Sequence, residues 1–176
     1  DYLYATRQVL RAAAAGAEPA VGTTLPALGQ VVTEAEERVL TALDRDLNTP
    51  QALSAIAELA KAGNEIAAQV PKLKKDAKAQ AEARALAAAA ERAITAATAP
   101  LGLLLADEAT YTERTRLRRL GLRGISAADV DAKVADRNAA RAEKDFARAD
   151  ALRLELGALG IELLDGTDGT TWRVLA

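Results

Sequence analysis

The stretch Asn48-Thr-Pro-Gln-Ala-Leu-Ser-Ala-Ile-Ala-Glu-Leu-Ala-Lys-Ala-Gly-Asn-Glu-Ile-Ala-Ala-Gln-Val70 carries both a start signal and a period. Asn48 or Thr49 can accept the orphan N–H groups of a helix, and Pro50 suits the first helical position, where no N–H is required. Leu53, Ile56, Ala60, Gly63, Ala67 and Val70 then recur at steps of three and four, one apolar stripe along a helix. Pro71 ends it. The stripe is built largely of small residues, which predicts close helix-on-helix packing.

The same chemistry extends outward. Asp1 to Ala15 reads as the tail of a helix carrying Leu3, Arg7 and Leu10, stopped at Gly16. A loop with Pro19, Gly22, Pro26 and Gly29 follows. A helix is then predicted from Val31 to Asp46, with Val32, Val39, Leu40 and Leu43 as candidate core. Beyond Pro71 a long helix runs from Asp76 to Thr98 and ends at Pro100. Four helices with short connections predict an up-and-down bundle over residues 1–106. Residues 107–124 are polar and rich in arginine (Arg114, Arg116, Arg118, Arg119, Arg123), and are expected to be a flexible linker.

After the linker the pattern changes. Ser126 can cap a helix with Val130 and Val134, and Asp145 can cap another with a Leu152, Leu156 and Leu159 stripe. Ile161–Asp165 and Thr171–Val174 flank Gly166-Thr-Asp-Gly169, a strand–turn–strand pattern. The fold class is therefore mainly α: the bundle, then a small α+β unit over 125–176 with two helices and a two-stranded antiparallel hairpin.

Composition narrows the function classes. Alanine supplies about a quarter of the 176 residues and favours helix. There is no Cys, His or Met. Zinc sites of the Cys/His kind, thiol chemistry and imidazole bases are excluded. A chain that opens on Asp1 without any Met is expected to be a region of a longer protein. No apolar run approaches the roughly 20 residues of a membrane span, so a cytoplasmic, non-membrane protein is expected. No phosphate-cradling glycine loop and no nucleophile–base pair appears, so catalytic and metal-binding residues are predicted to be none.

Binding is the better class. Lys72, Lys74, Lys75 and Lys78, with only Asp76 among them, give a local excess of three positive charges. With Arg116, Arg118 and Arg119 in the linker, they are the candidate phosphate contacts. Phe146, the only Phe, lies more than 100° from the centre of the leucine stripe of its helix. Asp150 sits one turn on, and Arg141 closes the preceding helix. An aromatic face beside a guanidinium fork and a carboxylate suits unpaired bases. Trp172 is read as packing against Leu163 and the Leu152/Leu156 face, in preference to stacking on RNA.

Longer motifs then carry a resemblance. Arg141-Ala-Glu-Lys-Asp-Phe-Ala-Arg-Ala-Asp-Ala-Leu-Arg153, Leu159-Gly-Ile161 and Asp165 through Gly169-Thr-Thr-Trp-Arg173 resemble the C-terminal end of bacterial cysteinyl-tRNA synthetases. Ala42-Leu-Asp-Arg-Asp-Leu-Asn-Thr-Pro-Gln-Ala-Leu53 and Leu101-Gly-Leu-Leu104 are similar to that family's helical (DALR-type) anticodon-binding domain. The resemblance implies a tRNA(Cys) partner, anticodon reading by 125–176, and a class I catalytic domain upstream in the same chain. That missing part would attach cysteine to tRNA(Cys), using ATP with Mg and a zinc ion; no cofactor is expected in this segment, and a monomer is expected. By position, Arg141, Phe146, Asp150 and Asp165 match residues that contact the GCA anticodon. Many bacterial members have Trp where Phe146 stands here, so the indole N–H donor is lost. Asp165 would accept from the N1–H and N2–H₂ edge of the guanine, and Arg141 would donate to the middle base. From Ile125 onward seven basic face ten acidic residues, a net charge of −3, which leaves phosphate neutralisation to the bundle and linker. Two alternatives remain: a non-catalytic helical interaction module, and the equivalent region of a synthetase paralogue such as the mycothiol cysteine ligase.

Overall fold

The structure is a computed structural model that describes residues 1–18, 24–166 and 169–175. It divides into two compact units, Asp1–Leu105 and Ala106–Ala176. The first holds α1 (Tyr2–Ala13), α2 (Pro26–Asp44), α3 (Thr49–Gln69) and α4 (Ala77–Thr98), with 3₁₀ turns at Val70–Leu73 and Ala99–Leu101. The second holds α5 (Glu108–Leu122), α6 (Ala127–Ala142), α7 (Phe146–Ala158) and an antiparallel hairpin, β1 (Ile161–Gly166) with β2 (Gly169–Val174).

Caps set the helix starts. The Asn48 carboxamide oxygen accepts from Gln51 N at 3.1 Å, and Asp76, Ser126 and Asp145 accept in the same way from Ala79, Asp129 and Arg148. The predicted start of α2 is corrected: it begins at Pro26, so Pro26 and Gly29 belong to the helix and not to the loop. Pro26 fits there because the first helical N–H has no partner to lose. The expected Pro19 and Gly22 loop positions, like the Thr167-Asp168 tip of the hairpin, lie outside the described residues.

The bundle core is alanine-rich. Ala52, Ala55, Ile56, Leu59 and Ile66 of α3 pack with Leu10, Val32, Val39, Ala87, Ala90 and Ile94. Two expected core leucines, Leu40 and Leu53, are exposed instead. Alanine fills the adjacent buried positions, Ala42 and Ala52, because closely approaching helices leave no room for a larger side chain. Gly63 marks the tightest approach. A Cβ there would stand 3.0 Å from a Leu10 methyl.

The expected linker is a helix. Asp107 caps α5 by accepting from Thr110 N at 2.9 Å, and Leu120 is 2 % exposed in one core with Val130, Val134, Leu156, Ile161 and Val174. Arg116 and Arg119 on α5 and Arg123 at its C-cap lie at helical spacing. Arg119 donates to the Val174 carbonyl at 3.2 Å and Arg123 to the Leu175 carbonyl at 2.9 Å. The Arg116 guanidinium lies over the Trp172 ring at 4.7 Å. An arginine-rich stretch can thus be a structural helix when its charged heads have carbonyls and a ring to meet. Leu120→Ala should destabilise the second unit by about 2–5 kcal/mol. Amides of the last two turns of α5 should exchange slowly in the free protein. Melting by circular dichroism and hydrogen exchange check both, and fast exchange there would restore the linker.

Candidate nucleic-acid interface

Three elements of the second unit converge on one cleft. On α6, Arg137 and Arg141 are four residues apart and share a face. The chain then turns sharply through Lys144, at φ +64°, into the Asp145 cap, which sets Phe146 in the first turn of α7. Asp150 and Arg153 follow on that helix. From the hairpin comes Asp165, paired in register with Thr170. The cleft has a volume of about 380 Å³, with Arg137, Arg141, Phe146, Asp150, Arg153 and Asp165 around Ala149. All four residues expected to contact bases therefore meet at one place.

Their states differ. Phe146 is 62 % exposed, off the buried Ala149 and Leu156 positions of its helix. The side chains of Asp150 and Arg153 make no hydrogen bond or ion pair among the described residues, although the charge of Asp150 also acts on Arg137. Arg141 donates to Asp165 at a long 3.3 Å. Asp165 is heavily engaged: Arg137 forks onto both its oxygens at 2.8 Å each, and the Thr170 hydroxyl donates at 2.7 Å. Asp165, expected to accept both guanine donors, is thus already occupied in the unbound chain. Its end-on edge already holds a guanidinium, and a base gains the carboxylate only by exchange with Arg141 or Thr170.

Arg137 was not anticipated. It is 4 % exposed, the single buried charged side chain among the described residues. The available signal was its spacing: Val130, Val134, Arg137 and Ala140 continue the buried stripe of α6, so an arginine falls on the core face and needs a partner. The Arg137 fork and then the Thr170 hydroxyl hold the Asp165 carboxyl well below the usual carboxylate range, and Asp165 in turn holds Arg137 above its ordinary value.

Trp172 lies opposite Leu163 in the ladder, packs on the core that contains Leu156, and donates its indole N–H to Asp131 at 2.7 Å. This matches its expected packing role. Of the candidate phosphate contacts, Arg116 is held by Glu113 at 2.9 Å as well as by the Trp172 ring, and Arg119 by the Val174 carbonyl. Arg118 is exposed. In the first unit Lys72, Lys74, Lys75 and Lys78 are exposed around the turn into α4; Lys78 reaches Glu82 only at 4.0 Å. Asp76 within this run is occupied as the helix cap.

A pH dependence follows. Because the folded-state value of Asp165 is depressed, its ionised form favours the fold at neutral pH. That contribution persists above the ordinary carboxylate value near 4 and is lost as pH falls below it toward the folded value. The melting-temperature gap between the native chain and Asp165→Asn should therefore be constant from about pH 5 to 8 and narrow in more acid solution. A gap that widens on acidification would contradict the ion pair.

Comparison with known proteins agrees with this architecture. The DALR domain family matches residues 38–106, and the cysteinyl-tRNA ligase anticodon binding domain family matches residues 126–173. A cysteine–tRNA ligase of Anaeromyxobacter sp. (strain Fw109-5) is 38 % identical over 174 residues, 99 % of this chain and 33 % of the relative. One from Geobacter sulfurreducens is 36 % identical over 169 residues, 92 % of this chain and 33 % of the relative. One from Anaeromyxobacter dehalogenans (strain 2CP-1) is 42 % identical over 138 residues, 78 % of this chain and 27 % of the relative. The chain spans about a third of the length of these curated relatives. Among the described residues, no helix is long and apolar enough to cross a membrane. With both family matches in chain order and 99 % of the chain aligned to one relative, the chain belongs to the cysteine–tRNA ligase family, as its DALR and anticodon-binding region.

Proposed function

We propose that this chain binds tRNA(Cys) and that the cleft of its second unit reads the GCA anticodon. The observation that carries the reading is the exposed Phe146 ring beside the unpaired Asp150 and Arg153 and the loosely held Arg141. Single-stranded bases splayed from a loop need a face to stack on and edge partners of both polarities. Phe146 supplies the face. Asp150 accepts from a base amino group, Arg141 donates to the middle base, and Asp165 accepts from the first base as it exchanges its weaker partners. Arg153 has a free guanidinium for a phosphate or a base acceptor. Lys72, Lys74, Lys75, Lys78 and Arg118 neutralise backbone phosphates elsewhere on the tRNA, while Arg116 and Arg119 remain structural.

In the whole protein this region would serve a cytoplasmic, monomeric enzyme that joins cysteine to tRNA(Cys) with ATP and Mg, its class I catalytic domain lying upstream in the same chain. A zinc ion that selects cysteine through thiolate and imidazole ligands does not fit this segment, which has neither Cys nor His. No chemical step is assigned to these residues. Their work is to hold and orient the RNA.

The test is binding of the 176-residue chain to anticodon stem-loops that differ only in the anticodon. Phe146→Ala should weaken the GCA loop by roughly 1–3 kcal/mol, leave melting unchanged, and act nearly alike whichever base is stacked. Replacing Lys72, Lys74 and Lys75 with Gln, measured on whole tRNA, should weaken all tRNAs equally and flatten the salt dependence by about 0.7–0.9 per lost contact. Equal affinity of the native chain for GCA and scrambled anticodons would refute the reading.

A further inference from the structure

We propose that Arg137 is a positioning residue for first-base discrimination: its fork locks Asp165 so that only the flanks held by Arg141 and Thr170 open to a base's N–H donors. The inference rests on the anticodon reading above and adds a residue to it. A carboxylate offers about four acceptor positions. On Asp165 all four are filled, Oδ1 by Arg137 Nη1 and Thr170 Oγ1, and Oδ2 by Arg137 Nη2 and Arg141 Nη1.

The four donors are unequal. The two Arg137 bonds are short, parallel and come from a guanidinium whose side chain is 5 % exposed, so water cannot replace them. The Arg141 bond is long, and its side chain is half exposed. The Thr170 bond is short, at 2.7 Å, and its oxygen also accepts from Arg137 at 3.2 Å, but the hydroxyl is neutral and has the Asn138 carboxamide oxygen at 3.2 Å as an alternative acceptor for its proton. One replaceable donor thus sits on each oxygen, on the side of a carboxylate that is 47 % exposed to the cleft. Around it stand Arg137 and Arg141 from α6, Asp150 and Arg153 from α7, and Thr170 from β2. Without the Arg137 fork Asp165 would turn freely, and Arg141 would capture it outright, which would close the acceptor to a base.

The experiment compares the full chain with Arg137→Lys and Arg137→Gln on stem-loops bearing GCA or another first base. The lysine variant keeps the charge and loses the fork. Both variants should reduce the preference for guanosine by about tenfold or more, through weaker binding of the GCA loop, with affinity for the other loops unchanged. A purely structural Arg137 would lower all affinities together, or none. Should the variants lose the fold of the second unit, side-chain nitrogen and carboxyl NMR of the native chain decides the matter. On adding the GCA loop, the Arg141 guanidinium and Thr170 hydroxyl resonances should move while the Arg137 fork stays. An unchanged guanosine preference in the folded variants, or loss of the Arg137 fork on binding, overturns the proposal while the anticodon reading stands. No guanosine preference in the native chain overturns the anticodon reading itself.

Discussion

A guanidinium cannot shed its charge at any pH a protein survives, and Arg137 places one on the buried face of α6. Once there it must be met by a carboxylate, and the hairpin delivers Asp165. Leaving such a charge unpaired costs about 3–5 kcal/mol in a dry interior; half-exposure of Asp165 lowers that figure here. The requirement ties the far end of β1 to α6. Because Asp165 and Thr170 are register partners, the start of β2 is tied with it. The wall of the cleft is therefore set by an electrostatic need and not by apolar packing. A leucine at 137 would fill the space and leave the hairpin end free to swing.

The bundle was legible where local chemistry and core demand agree. Asn48, Asp76, Ser126 and Asp145 are caps by sequence and by hydrogen bond alike. Leu40 and Leu53 misled because hydrophobicity is a poor guide in an alanine core. When helices approach closely, Ala and Gly hold the buried positions and leucine is displaced to the flank. Residues 107–124 misled for the opposite reason. Arginine lowers apolar content, yet Arg116, Arg119 and Arg123 repeat at helical spacing, and their head groups tie α5 to β2 and the residue after it through two carbonyls and the Trp172 ring. Reading period before polarity would have found that helix.

Within the cleft, position was legible and occupancy was not. That Phe146 falls off the leucine stripe is simple angular arithmetic, and its exposure agrees. That Asp165 borders a turn says nothing about what reaches back to it from 28 residues earlier. Arg137 stands on the core face of α6 at the spacing of Val130 and Val134. A charged residue in a buried register position is itself a statement that a partner of opposite sign lies nearby in space. Sequence order does not say which of ten acidic residues it is.

Charge is spread unevenly along the chain: both units carry a net −1, but within the second the stretch from Ile125 onward carries −3, offset by the arginines of α5. That stretch by itself gains little from phosphates. Any affinity it has must come from base faces and edges, which is where sequence information resides. The basic run around the start of α4 has the opposite character, with four exposed lysines and no aromatic among them; such a run would attract any polyanion and could read none. Had the lysines lain in the cleft, non-cognate RNA would be held almost as firmly as cognate, because the phosphate term does not depend on sequence. In the proposed reading, a cleft poor in net charge, with Arg137 neutralised by Asp165, would make binding there depend on base chemistry. Discrimination then comes from contacts that the wrong base cannot make.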